Sequence, residues 1–193
     1  MLQKLVSKLV DQLINENLIE VKQRESYIYT YLIWSEKIMT LGTICIIAII
    51  FSNSFNTLIF LFFFLVLRSR TGGFHADSFM KCFIGTIMTY LVVFFCASLF
   101  TQYMELLIGL LLIAICIIEI IGTINHPNMD MSKPELDKSK KNARVITLIE
   151  GGVIFCTWKL VGNDLTIYYM SMGVIICAIL LCIAKITKQE VKR

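Results

Sequence analysis

The sequence is poor in most of what a soluble or fibrous protein needs. Only 17% of its 193 residues are charged and 57% are apolar, whereas a soluble domain has about a quarter charged. Two prolines and 10 glycines are too few for a collagenous or low-complexity chain. A mean hydropathy of +0.76 excludes disorder over most of the length. With two histidines and no Cys-x-x-Cys pair, no zinc spacing is present and no cofactor is implied. The net charge of +4 leaves no footprint for nucleic acid. Seven cysteines, an odd number, do not build a secreted disulfide framework. Six of them (Cys45, Cys96, Cys116, Cys156, Cys177, Cys182) lie in apolar runs, where a free thiol packs as a small hydrophobe. Nor does the N-terminus read as a basic-then-apolar leader, because Asp11, Glu16 and Glu20 interrupt it. What remains is an all-α polytopic membrane protein with too little polar sequence for a separate soluble domain.

Two regions are expected. In residues 1–35, Leu2, Leu5, Val6, Leu9, Leu13 and Ile14 form a helical stripe opposite Lys4, Lys8, Asp11, Gln12 and Asn15. Such an amphipathic helix either lies on the membrane surface or packs on the rest of the protein. Tyr27, Tyr29, Tyr31 and Trp34 follow as an interfacial aromatic belt. Residues 36–193 then read as a single transmembrane domain. Its first apolar run, Ile38 to Leu67, is 30 residues without a charge, about 45 Å as one helix against a hydrocarbon core of about 30 Å. A hairpin turning at Ser52-Asn53-Ser54 is the alternative. Clearer runs follow at Phe83–Phe100, Tyr103–Ile124, Val145–Val161 and Leu165–Ile186, with breaks at Thr101-Gln102, Asn125–Arg144 and Gly162-Asn163-Asp164.

The positive-inside rule decides between the two readings. With the hairpin there are six spans, both termini are cytoplasmic, and 17 of the 18 basic residues lie inside, Lys159 excepted. A single span would throw most of the later basic residues outside.

Chemistry concentrates in Arg68–Cys82. His75 and Cys82, seven residues apart, supply a thiol and a proton acceptor, the requirements of a thiol nucleophile. Arg68, Arg70 and Lys81, and a helix starting near Asp77-Ser78, would favour the thiolate. Gly72-Gly73 permits positive φ and a close backbone approach. On one straight helix the two Cα atoms would stand about 10.5 Å apart, so a direct contact requires His75 in the Gly-Gly turn, folded back toward the helix carrying Cys82. On spacing alone, an interfacial His and an unrelated Cys at a span entrance is the preferred reading. Asp77 is either an N-cap or a partner for His75, with the cap preferred. Glu119 and Glu150 fall in apolar runs, where an acid is a functional candidate. Both are close in sequence to the Asn125–Arg144 segment, and a partly hydrated interface is the preferred reading. His126 reads as a loop residue.

The stretch Arg68–Cys82 resembles the accessory gene regulator protein B (AgrB) family, membrane cysteine endopeptidases of Gram-positive peptide quorum sensing. The likeness rests on an Arg at the end of a span, then Gly72-Gly73-Phe74-His75-Ala76, then Cys82. Family-like length, the amphipathic N-terminal segment, six apolar runs and the basic loop with Pro127 and Lys133-Pro134 extend it along the chain. The resemblance implies that His75 and Cys82 are the catalytic pair. It also implies a short AgrD-like precursor peptide as substrate, cleaved through a thioester acyl-enzyme into a cyclic thiolactone or lactone. Gly72, Gly73, Arg68 and Arg70 would then meet the substrate. The net +2 of Asn125–Arg144 suits the acidic tail of family precursors, although a topology determinant explains the same charges. Partners so implied are the precursor and the lipid bilayer at the cell membrane; a homo-oligomer is left open. The competing functions are a non-enzymatic peptide exporter and a structural membrane subunit, neither of which needs a reactive thiol.

Overall fold

The computed structural model describes residues 2–16, 18–74, 78–125 and 131–188. Among them there are eight α-helices and no strand: α1 (Leu2–Asn15), α2 (Arg24–Ile50), α3 (Ser54–Thr71), α4 (Phe79–Phe95), α5 (Ala97–Gln102), α6 (Met104–Ile121), α7 (Lys133–Val161) and α8 (Leu165–Ile186). The protein is an all-α membrane protein. Among the described residues four stretches are long and apolar enough to cross a bilayer, Val21–Ile50, Ser54–Thr71, Met104–Ile121 and Leu165–Ile186, and Met80–Phe95 is a shorter apolar helix.

The long uncharged run is a hairpin. Chain direction reverses at Ser52, which takes φ 53°, between the end of α2 and the start of α3. Elsewhere the helix ends differ from the expected breaks. The basic segment expected as a break through Arg144 is helical from Lys133. Its start is set by a capping box, in which the Ser132 N–H and hydroxyl both donate to the Glu135 carboxylate at 2.8 and 2.6 Å, with Pro in the first turn. Those two bonds hold the Glu135 carboxyl below its ordinary value. The run Phe83–Phe100 is divided at Cys96 between α4 and α5.

Helix α8 is the centre of the bundle: 72% of its apolar span is buried in protein, against 11% for the span ending in α2. It packs on α3, α6 and α7. Small residues make this possible. A Cβ on Gly173 would stand 2.9 Å from the Phe63 Cβ and 3.0 Å from the Phe64 backbone N, so α3 and α8 touch almost backbone to backbone, the usual way helices associate in lipid. Leu67, Leu107, Leu111, Ile118, Ile154, Val174 and Leu181 fill the space around the contact. At the end of the bundle where α2 meets α3, polar side chains are paired with one another. Asn53 Nδ2 donates to the Tyr169 hydroxyl at 2.5 Å, Thr57 and Tyr90 share a 2.7 Å bond, and the Tyr168 hydroxyl donates to the Val93 carbonyl at 2.6 Å.

The N-terminal helix packs on the protein. Val6 and Val10 of α1 bury against Ile28 of α2, with Ile14 and Leu32 at the edge. Arg24 grips Asp11 through Nε at 2.7 Å and Nη2 at 3.1 Å, which holds the Asp11 carboxyl below the usual carboxylate range. Leu5 and Leu9 stay exposed. Helix α2 runs unbroken across residue 35, so the compositional boundary there lies inside a helix.

The thiols are less uniformly packed than their apolar surroundings suggest. Cys177 is buried, Cys45, Cys96 and Cys182 are half-buried, and Cys116 and Cys156 face outward. An apolar run in a membrane protein does not say which face meets lipid and which meets protein.

Gly173 and Gly42 make a paired test. Gly173→Ala must push α3 from α8 and should cost about 1–3 kcal/mol. Gly42→Ala, with nothing within 4 Å of its added methyl, should cost nothing. Thermal unfolding of the two variants in detergent checks the contrast.

Candidate functional site

Helix α3 ends where its backbone first takes positive φ, at Gly72 (φ 64°) and Gly73 (φ 124°). Both are regions that residues with a Cβ avoid. The turn is buried, so its peptide groups must be satisfied by protein. The Arg70 carbonyl accepts from the Thr123 hydroxyl at 2.8 Å and the Ser139 hydroxyl at 3.0 Å. The Thr71 carbonyl accepts the Ile124 N–H at 3.1 Å, and the Phe74 N–H donates to the Leu180 carbonyl at 3.2 Å. Arg68 completes the set: its guanidinium donates through Nη1 to the Gly72 carbonyl and through Nη2 to the Phe74 carbonyl, the latter at 2.7 Å.

The close approach that the two glycines permit is therefore made by the protein itself. A Cβ on Gly73 would run into the Arg68 guanidinium and lie 3.4 Å from the Leu180 carbonyl, and one on Gly72 would lie 3.1 Å from the Ile124 carbonyl. The Gly72 N–H donates to the Arg68 carbonyl at 3.2 Å, so it is not a free oxyanion donor. Arg68 is half-buried and Arg70 exposed.

After three residues, His75, Ala76 and Asp77, which lie outside the described residues, the chain resumes at Ser78. Ser78, one residue after the expected Asp77, is the cap of α4. Its carbonyl accepts the first intrahelical bond, from the Cys82 N–H at 3.1 Å. Cys82 thus sits in the first turn of α4 and is exposed. Exposed Lys81 precedes it. The structure brings Arg68, Gly72, Gly73 and Cys82 to one end of the bundle; the expectation that His75 folds back toward Cys82 from the Gly-Gly turn falls outside the described residues.

The two intramembrane acids part company. Glu119 is half-buried; its backbone carbonyl accepts from Arg144 Nε at 2.9 Å, and one of its carboxylate oxygens, Oε1, is buried without a partner among the described residues. Glu150 does not fit the hydrated-interface reading. It is 5% exposed, because the segment before it is helix and not loop, and α7 carries it into the bundle. Both of its carboxylate oxygens lack a hydrogen-bond partner among the described residues. His126 and Pro127 lie outside the described residues, but the Asn125 side chain spans that gap, donating to the Met131 carbonyl at 3.1 Å and accepting its N–H at 2.9 Å.

Sequence reasoning missed the groups that hold the turn. Thr123, Ser139 and Leu180 are distant in the chain and contribute a hydroxyl or a carbonyl that carries no motif. Only Ser139, in a basic stretch, stands out, and charge alone would not single it out.

Fold and site together define a multi-helix membrane protein with an exposed thiol at a helix start beside a buried, arginine-fastened glycine turn. The chain belongs to the accessory gene regulator B family, whose sequence model matches residues 4–184, nearly its whole length. It is thereby a membrane protein of the accessory gene regulator system, the setting of peptide processing and quorum sensing. No curated protein and no solved structure matches the chain.

Gly73→Ala introduces a strained φ and displaces the Arg68 guanidinium, and should destabilise the protein by about 1–3 kcal/mol. In the Arg68→Gln background the steric part disappears and the cost should fall. Unfolding of the two single variants and the double variant in detergent measures the difference.

Proposed function

We infer that the protein is a membrane-embedded cysteine endopeptidase that cleaves a short precursor peptide at the cytosolic side and closes the released segment into a ring. The observation that carries this reading is the placement of Cys82, exposed in the first turn of α4, a few residues after the Gly72-Gly73 turn. An inert structural thiol is buried in apolar surroundings, whereas a nucleophilic one is accessible and electropositive. Family membership supports the substrate class.

In this reading His75 takes the Cys82 proton and the thiolate attacks the scissile carbonyl. The tetrahedral intermediate collapses as the C–N bond breaks, and His75 gives its proton to the leaving amine. A thioester joins the precursor to Cys82. A thiol or hydroxyl of the same precursor then gives up its proton to His75 and attacks the thioester, forming the thiolactone or lactone and releasing the Cys82 thiolate, which takes the proton back. Thiol attack on a thioester exchanges like for like and has a low barrier, while water would waste the intermediate, so the site must exclude it.

Arg70, exposed at the end of α3, faces the substrate, with Arg68, Gly72 and Gly73 behind it as the buried turn that sets the course of the chain toward Cys82, and the basic residues of α7 from Lys138 to Arg144 attract an acidic tail. An AgrD-like peptide and the bilayer are the partners of this reading. The cell membrane is its location, with both termini and Arg68–Cys82 cytoplasmic.

Two experiments test it. Co-expressed with an AgrD-like precursor, Cys82→Ser should abolish cleavage and cyclisation, and His75→Ala should slow them by about 10²–10⁴-fold. Cys116→Ser, on the outer face of α6, should process normally. Mass analysis of both fragments reads the result, and a C-terminal fragment that accumulates normally with Cys82→Ser would remove Cys82 from the mechanism. For topology, cysteines introduced at Arg68 and Lys138 should stay unlabelled by an impermeant reagent in whole cells. Strong labelling at both would invert the assignment.

A further inference from the structure

Arg144 stands where the polar start of α7 gives way to apolar surface, and its position is fixed by α6. The two helices run close together there: a Cβ on Gly122 would stand 3.0 Å from the Lys140 Cγ. One helical turn further along α7, Arg144 Nε donates to the Glu119 carbonyl at 2.9 Å. That carbonyl lies in the last turn of α6, among those a helix leaves without an N–H of its own. The bond holds the guanidinium by one corner, and both Nη groups stay without a partner among the described residues. The Glu119 carboxylate does not answer the charge, because its Oε1 is buried without a partner and both ion pairs among the described residues belong to Arg24. Exposed Lys141, three positions before Arg144 on the same helix face, is likewise unmatched.

Beyond Arg144 the same face turns apolar. Leu148, one turn on, is 58% exposed, Val145 beside it 47%, and Ile120 of α6, next to Glu119, 77%. In a membrane protein such residues meet hydrocarbon. A ligand that answers the whole surface therefore carries an anion at one end and hydrocarbon at the other. A phosphodiester offers two oxygens to the free fork of the guanidinium, and acyl chains continue onto Leu148 and Ile120. An acidic peptide would satisfy the cations and leave the apolar residues uncovered. We propose that the end of α6 and the start of α7 form a seat for one anionic phospholipid, its phosphate on the Arg144 Nη groups and Lys141 and its acyl chains along Leu148 and Ile120. Basic residues next to the end of a membrane helix are where such lipids are held. The Lys138 end of the basic segment, further from the apolar face, stays open to an acidic tail, and the lipid seat stands independently of the peptidase reading.

The test uses the full chain in a neutral detergent, with dioleoylphosphatidylglycerol as the probe and dioleoylphosphatidylcholine as its zwitterionic counterpart. Native mass spectrometry should show one phosphatidylglycerol retained, and that lipid should raise the unfolding temperature by several degrees; phosphatidylcholine should do neither. Arg144→Gln should weaken retention about tenfold, and Arg144→Lys, which keeps the charge without the fork, should fall between it and the native chain. Lys141→Gln should weaken retention about threefold. Lys133→Gln removes the same charge about 16 Å away along α7 and should retain the lipid as the native chain does. Arg144→Gln also gives up the bond to Glu119, a loss that unfolding without lipid measures by itself; if that variant does not fold, Arg144→Lys and Lys141→Gln carry the comparison. Equal retention of the two lipids, equal weakening by Lys133→Gln, or glycerol 3-phosphate binding as tightly as the lipid would each overturn the proposal. Displacement of the lipid by an equal concentration of a soluble acidic peptide would give the seat to a peptide and overturn it as well.

Discussion

A turn buried at the end of a membrane bundle has few ways to satisfy its peptide groups, since neither lipid nor a continuing helix supplies partners. Here the solution is the Arg68 guanidinium, which folds back over the turn it precedes and donates to the carbonyls of Gly72 and Phe74. The fork geometry of arginine suits two carbonyls on a tight turn, and lysine could not reproduce it. The glycines follow from the arginine, because a Cβ on Gly73 would occupy the place of the guanidinium. So does the course of the chain toward Cys82, since Phe74 is held at both its N–H and its carbonyl.

Around this constraint the helices converge. The α6 end contributes Thr123 and Ile124, α7 contributes Ser139, and α8 contributes the Leu180 carbonyl, so three helices distant in sequence each fasten one part of the turn. They can reach it because α8 lies close against α3 at Gly173. Packing in the bundle and geometry at the site are one problem: a wider α3–α8 separation would carry Leu180 away from Phe74.

The two thiols best placed for comparison differ in burial. Cys82 is exposed at the start of α4, while Cys177 is buried in α8 and donates to the Phe64 carbonyl. A buried, bonded thiol packs as a small hydrophobe, whereas the proposed nucleophile needs an accessible one.

Much of this could be read from the residues. Composition excluded a soluble protein, the count of basic residues separated a hairpin from a single long helix, and Gly72-Gly73 with His75 and Cys82 marked the segment of interest. The start of α7 was legible too, in Ser132, Pro134 and Glu135, although a basic, Pro-containing stretch invites a loop reading. Those features are local, and local rules report on them. What the sequence could not determine was which face of each apolar run meets protein. Lipid and core are equally apolar, so hydrophobicity does not distinguish Cys177 from Cys116, nor place Glu150 inside the bundle and Glu119 at its edge. The packing of α3, α7 and α8 decided that. The same packing decided that Arg68 would turn back on its own backbone, because the carbonyls it binds point at one guanidinium only after the helices have brought the turn under cover.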